Sequence, residues 1–176
     1  MDNKLKRTPA VYLTGFMGSG KSTIGRLLAD HLGWDFIDLD REIEVAENAT
    51  VQDIFSTRGE AEFRRLETET LRQWTRKVDR GHPAVIALGG GAFVHPGNFK
   101  ILENHGVSLW LDCPFELILR RLETEADSRP LARDKTALRS LYDARLPGYA
   151  RADYRIDASH PPAHALAEIL ALPVWK

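Results

Sequence analysis

The eight residues Gly15-Phe-Met-Gly-Ser-Gly-Lys-Ser22 constrain this chain more than any other stretch. They fit G-x-x-x-x-G-K-[ST] without a mismatch, a spacing that carries meaning only between a strand end and a helix start. Both flanks comply. Ala10-Val-Tyr-Leu-Thr14 reads as a buried strand, and Ser22-Thr-Ile-Gly-Arg-Leu-Leu-Ala-Asp-His-Leu32 carries helical spacing. Gly15, Gly18 and Gly20 let the backbone fold into a concave nest whose N–H groups, with the helix N-terminus, point at polyphosphate oxygens. Lys21 adds a mobile point charge near the β- and γ-phosphates, and the Ser22 hydroxyl is placed to ligate Mg²⁺. The bland alternative is a glycine-rich turn that matches by accident, and the strand–loop–helix context argues against it. The motif implies a nucleoside triphosphate bound with magnesium.

A chain of 176 residues suits one domain, spanning 1–176, with a substantial core. Its 24 Lys and Arg against 25 Asp and Glu leave a net charge of −1, so no global basic field points to nucleic acid. The single Cys113 excludes an internal disulfide and suits a reducing compartment, and beside a strand end it reads as a small buried thiol rather than a reactive one. No apolar stretch approaches the roughly 18 residues that would span a membrane. Met1–Arg7 is polar and reads as a short tail without a signal core. The expected home is the cytoplasm.

Strands and helices alternate along the rest of the chain. Strands are expected at Trp34–Asp38, Val85–Leu88, Val107–Leu111 and, weakly, Tyr154–Ile156. Helices are expected at Asp40–Asn48, Val51–Thr57, Glu60–Arg80, Pro96–Asn104, Pro114–Leu122, Lys135–Arg145 and Pro162–Leu172. In the long charged helix, Phe63, Leu66, Thr70, Leu71 and Trp74 are spaced as an inner stripe. The alternation predicts an α/β fold in three layers, a five-stranded parallel sheet covered by helices on both faces. Glu123–Arg133 is polar, lies between two predicted helices and is the best candidate for a lid.

Three classes use such a phosphate loop. A Ras-type GTPase needs N-K-x-D late in the chain, and the one Asn-Lys pair here, Asn3-Lys4, precedes the loop and lacks the Asp. A motor or transport ATPase needs a longer chain and a strand ending in an acid late in the sheet. A small-molecule kinase needs the loop, an acceptor pocket and a closing lid, and that class fits best.

The acceptor pocket is partly legible from charge. Asp38 and Asp40 end the second predicted strand, where alternation puts both on one side, one for the metal and one for the acceptor. Alternatively, Asp40 only caps the following helix. Arg64 and Glu67 lie three apart on one helix face. They form either a surface ion pair of about 0–1 kcal/mol or, if the helix lines a cleft, an oriented guanidinium for an anionic acceptor. Gly89-Gly-Gly91 closes a strand and either lets backbone come close to a ligand or makes a plain turn. The His residues at 31, 82, 95, 105, 160 and 164 form no ligand pair on a helix face, so none is read as metal-binding.

Taken together, six strings in order resemble the shikimate kinase family over nearly the whole chain. They are Gly15-Phe-Met-Gly-Ser-Gly-Lys-Ser-Thr23, Phe36-Ile-Asp38-Leu-Asp40, Gly59-Glu-Ala-Glu-Phe63-Arg64-Arg-Leu-Glu67, Gly89-Gly-Gly91-Ala, Arg129-Pro-Leu131 and Arg145-Leu-Pro147-Gly-Tyr149. Each is weak alone, and their order makes the set strong. The family phosphorylates the 3-hydroxyl of shikimate, a cyclic carboxylic acid with three hydroxyls, using Mg-ATP. The resemblance implies that Asp40 receives substrate hydroxyls, while Arg64, Arg145 and the turn Gly89, Gly90 and Gly91 hold the acid. It assigns ATP to Gly15, Gly18, Ser19, Gly20, Lys21, Ser22 and Thr23. Arg121 is implied as a stacking partner for adenine, with Asp157–Pro161 flanking the base too. Asp38 would support magnesium through water beside Ser22, and Arg129 would close from the lid over the phosphates. Lys21, Asp40 and Arg129 form the implied catalytic set, and a monomer would suffice.

One departure stands out. The family commonly has Pro-Leu-Tyr where this chain has Pro147-Gly148-Tyr149, so Gly148 is expected to lose a packing side chain and loosen the helix by up to about 1 kcal/mol. An ordinary aspartate pKa near ~4 would make Asp40 a poor base, so orienting the hydroxyl is its expected task. Gluconate-type or nucleotide-type kinases, and a silent binding homologue, are the alternatives.

Overall fold

The computed structural model describes residues 10–103, 105–124 and 134–175. Five strands, β1 (Ala10–Thr14), β2 (Asp35–Asp38), β3 (Ala84–Ala87), β4 (Val107–Asp112) and β5 (Tyr154–Asp157), form one sheet in the order β2-β3-β1-β4-β5. Every adjacent pair is parallel. Burial on both faces explains why β1 and β3 are apolar runs without alternation, since all their residues are enclosed.

The helices are α1 (Lys21–Leu32), α2 (Leu39–Glu47), α3 (Val51–Arg58), α4 (Glu60–Asp79), α5 (Pro96–Leu102), α6 (Phe115–Thr124), α7 (Lys135–Tyr149) and α8 (Pro162–Leu170). Side-chain alternation along β1 separates the two layers they build. Leu13 and the β2 residue Phe36 point at Gly25 of α1, where an added Cβ would collide with both. Tyr12 points the other way, toward the C-terminal end of α4, where burial first and Asp79 second push its hydroxyl far above the ordinary phenol range. The sheet is therefore covered on both sides, as the alternation of elements predicts. No helix among the described residues is long and apolar enough to cross a membrane.

This topology puts the functional ends side by side. In β1, Leu13 pairs with Ala87 of β3, and Ala87 pairs in turn with Asp38 of β2. The phosphate loop after β1, the aspartate at the end of β2 and the glycines after β3 thus leave the sheet at one level, on adjacent strands.

Boundaries differ from the sequence reading in instructive places. The second strand ends at Asp38, and Asp40 already lies in the first turn of α2. Strand alternation therefore does not relate the two aspartates. Asp38, rather than Asp40, is the cap: its side chain accepts from the Arg41 N–H at 3.3 Å. On α4, Thr70 and Trp74 are only half-buried, whereas Glu67, Thr75 and Val78 are buried.

The helix expected to stop at Arg145 runs on to Tyr149 with Pro147 inside it. A proline this close to a helix end removes a single backbone donor, and Arg145 and Tyr149 gain a shared face at i, i+4. Gly148 does not leave the packing gap expected of a missing side chain. A Cβ there would collide with the Val94 side chain, its Cβ 2.9 Å away, so the missing side chain is what lets Val94 pack against the helix.

Candidate active site

The phosphate loop closes on itself before any ligand arrives. Gly15 has φ 144°, and a Cβ at that position would sit 2.7 Å from the Leu111 carbonyl oxygen, so backbone rotation and space both demand glycine. Gly18 and Gly20 also take positive φ, and Gly20 is the left-handed cap from which α1 starts. Ser19 is buried within the loop, and Thr23 is exposed on the first turn of α1. Lys21 donates to the carbonyls of Gly15 at 2.8 Å and Phe16 at 2.9 Å, which folds its ammonium back over the loop. Ser22 donates its hydroxyl to Asp38 Oδ2 at 3.1 Å. These two are the residues that the sequence reading assigned to metal, and they meet.

Arg121, on α6, donates to the Gly18 carbonyl at 2.9 Å and to the Ala158 carbonyl just past β5 at 3.3 Å. Its guanidinium spans from the phosphate loop to the segment expected beside adenine. The same group lies 3.5 Å from the Cys113 sulfur, and burial holds that thiol above its ordinary pKa, so a reactive thiolate is disfavoured.

The acceptor side is organised by Gly89-Gly90-Gly91. Each glycine faces one of the polar side chains expected to grip the acceptor. A Cβ at Gly89 would lie 2.6 Å from Asp40 Oδ1, one at Gly90 2.7 Å from Arg145 Nη1, and one at Gly91 2.5 Å from Arg64 Nη2. None of the three could carry a side chain without pushing a charged group aside. The turn therefore brings together residues from α2, α4 and α7 that are far apart in sequence.

Arg64 Nη1 donates to both carboxylate oxygens of Glu67 at 2.9 and 3.1 Å, and its Nε lies 3.6 Å from Glu60. Glu67 is fully enclosed, which excludes the surface-pair reading of Arg64. Burial holds the Glu67 carboxyl above its ordinary range even though Arg64, Asn98 and Arg145 pull it down. Arg145 lies 5.7 Å from the centre of the Phe16 ring of the phosphate loop. Tyr149 donates its hydroxyl to the Gly90 carbonyl at 2.6 Å, and burial raises its pKa to about 12.

Asp40 differs from the expectation of an ordinary carboxyl. Its Oδ1 is buried without a hydrogen-bond partner among the described residues. Its pKa rises from 3.8 to about 6, first through burial, then through Glu67 and Asp38, against a downward pull from Lys21. That value lies close enough to neutrality for proton acceptance as well as orientation.

Arg129 and most of Glu123–Arg133 lie outside the described residues. The described end of that segment, Glu123, accepts from Lys135 at 2.7 Å. A groove of about 750 Å³ runs along the outer face of α4, past Arg64, Thr68, Arg72 and His95, and Arg64 is the residue it shares with the acceptor site. Sequence reasoning missed Tyr149 as a contact and missed Asn98 and Thr68 altogether. Tyr149 carried a signal, its place one helical turn after Arg145. Asn98 carried none beyond a polar residue in the first turn of a short helix.

The chain is similar to known proteins in sequence and in fold. A family model described as shikimate kinase matches residues 17–172. A shikimate kinase of Persephonella marina is 38% identical over 162 residues, which cover 91% of this chain and 96% of that protein. The solved shikimate kinase of Acinetobacter baumannii, in complex with shikimate, superposes with a TM-score of 0.82 at 37% identity, covering 94% of this chain and 92% of that one. A gluconokinase from Sinorhizobium meliloti reaches a TM-score of 0.59 at 19% identity over 94% of this chain and 91% of its own, a likeness of fold alone.

Proposed function

Because this chain belongs to the shikimate kinase family, we propose that the site described above transfers the terminal phosphoryl group of ATP to the 3-hydroxyl of shikimate. The observation that carries the residue assignment is the glycine turn, whose three positions abut Asp40, Arg145 and Arg64 in succession. A hydroxyl-orienting carboxylate and two guanidiniums around one turn match an acceptor that presents hydroxyls at one end and a carboxylate at the other.

Phosphoryl transfer asks little covalent work of the protein; positioning and charge neutralisation dominate. Lys21, held over the loop, sets its charge against the β- and γ-phosphates. Asp40 holds the attacking hydroxyl and, with a pKa of about 6, accepts its proton as the bond forms. Arg64, braced by Glu67, and Arg145, beside Gly90, bind the carboxylate. The resemblance assigns Arg129, which lies outside the described residues, to the phosphates, and Arg121 lies between the phosphate loop and the adenine-flanking strand end.

The hydroxyl of Ser22 and the carboxylate of Asp38 are hard oxygen donors 3.1 Å apart, a pair that fits Mg²⁺. Among the described residues no group of three or more His, Cys, Asp or Glu could hold a metal ion. Magnesium bound there would neutralise charge on the β- and γ-phosphates. A monomer in a cytoplasmic setting belongs to the same reading, and the buried thiol of Cys113 suits a reducing compartment.

A coupled ADP-release assay tests the assignment. ADP should appear with shikimate and hardly at all with gluconate or a nucleoside monophosphate. Equal turnover with gluconate would sink it.

A further inference from the structure

Asn98 is fully buried in the first turn of α5, and both ends of its amide are hydrogen-bonded. Nδ2 donates to the Ala92 carbonyl at 3.0 Å and to Glu67 Oε1 at 3.3 Å, while Oδ1 accepts from the Thr68 hydroxyl at 2.6 Å. The orientation of the amide follows from its neighbours. A carbonyl and an ionised carboxylate can only accept, so the NH₂ must face them and the oxygen must face Thr68. One amide therefore ties the backbone just after the glycine turn to the carboxylate that braces Arg64.

We propose that Asn98 is a positioning residue for acceptor recognition: through Glu67 it fixes the Arg64 guanidinium, and through Ala92 it fixes the distance of the glycine turn from that guanidinium. This rests on reading Arg64 as the group that grips the acceptor's carboxylate. The tolerance is small, because Arg64 Nη2 already stands where a Gly91 Cβ would be only 2.5 Å away. A Glu67 carboxylate free to rotate would carry the guanidinium with it, and a turn released at Ala92 would open the gap from the other side. Asn98 touches neither substrate; its effect passes through Arg64. That separates it from a residue that only fills the core, because its loss should be felt by the acceptor's charge and not by the nucleotide.

Two variants test this. Asn98→Asp keeps the shape but replaces the donor with an oxygen facing two acceptors. Thr68→Val is isosteric, lies at the edge of the groove, and leaves Asn98 in place with its amide oxygen unpartnered. By calorimetry, shikimate affinity should fall about tenfold or more in Asn98→Asp and about threefold in Thr68→Val, with ATP affinity unchanged. The rise in KM for shikimate should exceed any fall in kcat. Preference for shikimate over its uncharged methyl ester should narrow in both, which a loss of fold stability alone would not cause. Wild-type affinity and preference in both folded variants would overturn the proposal; if Asn98→Asp does not fold, Thr68→Val decides alone. A wild-type protein that fails to bind shikimate would instead refute the reading of the site itself, and this inference with it.

Discussion

At the scale of single residues, the site stores its reactivity as destabilisation. Asp40 is held in a place that disfavours its charge, by burial first and by two neighbouring carboxylates second. Its pKa is about 6 in the folded protein against 3.8 for an ordinary aspartate, so folding is favoured most when Asp40 is protonated. That stability is present below pH ~4 and is lost as pH rises through about 6. Asn has no such charge to lose. Asp40→Asn should therefore abolish most phosphoryl transfer yet raise stability at pH 7 by about 1–2 kcal/mol, discounting the full shift for solvent reaching the open side. Thermal unfolding of both proteins in magnesium-free buffer, from pH 4 to 7, checks this; a melting difference that does not grow across that window counts against the shifted carboxyl. Arg64 offers the complementary case. Removing a desolvated, charge-assisted partner costs roughly 1.5–3 kcal/mol, so Arg64→Ala should weaken shikimate binding by about tenfold to a hundredfold. Lysine should rescue poorly, because a single ammonium that holds Glu67 cannot also offer a planar two-pronged face to the acceptor's carboxylate. Unchanged calorimetric affinity in Arg64→Ala would refute the assignment.

At the scale of elements, what the sequence made legible was whatever depends on neighbours along the chain. The phosphate loop, the apolar strands and the pairing of Arg64 with Glu67 on one helix face are all local in this sense. The Asp40 pKa and the glycine turn were not legible in full, since they depend on side chains delivered by three different helices. The turn was expected to clear room for a ligand; it clears room for Asp40, Arg145 and Arg64. Gly148 makes the same point within α7. Set against its family it looked like a lost side chain, but Val94, more than fifty positions earlier, occupies the space. Gly148→Leu, although it restores the common family residue, should destabilise this protein by about 1–3 kcal/mol through overpacking. Gly148→Leu combined with Val94→Ala should recover part of that loss, a coupling that denaturant titration of the four proteins would measure. Purely additive effects would mean that the two side chains do not compete.

At the scale of the whole molecule, the sheet divides the labour. The ends of β1, β4 and β5 meet Arg121 and the phosphate loop, while the ends of β2, β3 and β1 meet Asp40, Arg64 and Arg145, the residues proposed for the acceptor. Helix α7 joins the two halves. It begins beside the Glu123–Lys135 ion pair and ends with Arg145 and Tyr149 against Gly90. Whatever moves the start of α7 therefore bears on the acceptor end of the same helix. The ion pair itself is exposed on both sides and contributes little to stability. Residues 125–133, Arg129 among them, lie outside the described residues, so their reading as a lid that brings Arg129 to the phosphates rests on the sequence; lid closure typically takes microseconds to milliseconds and can limit turnover. Arg129→Ala should then lower kcat far more than it lowers shikimate affinity, because the missing charge acts on the transferring group. Amide hydrogen exchange across Glu123–Arg133 should slow when an ATP analogue and shikimate bind together, and slow less with either alone. Exchange that stays fast in the ternary complex would rule out closure, and Arg145 would then have to act without help from the lid.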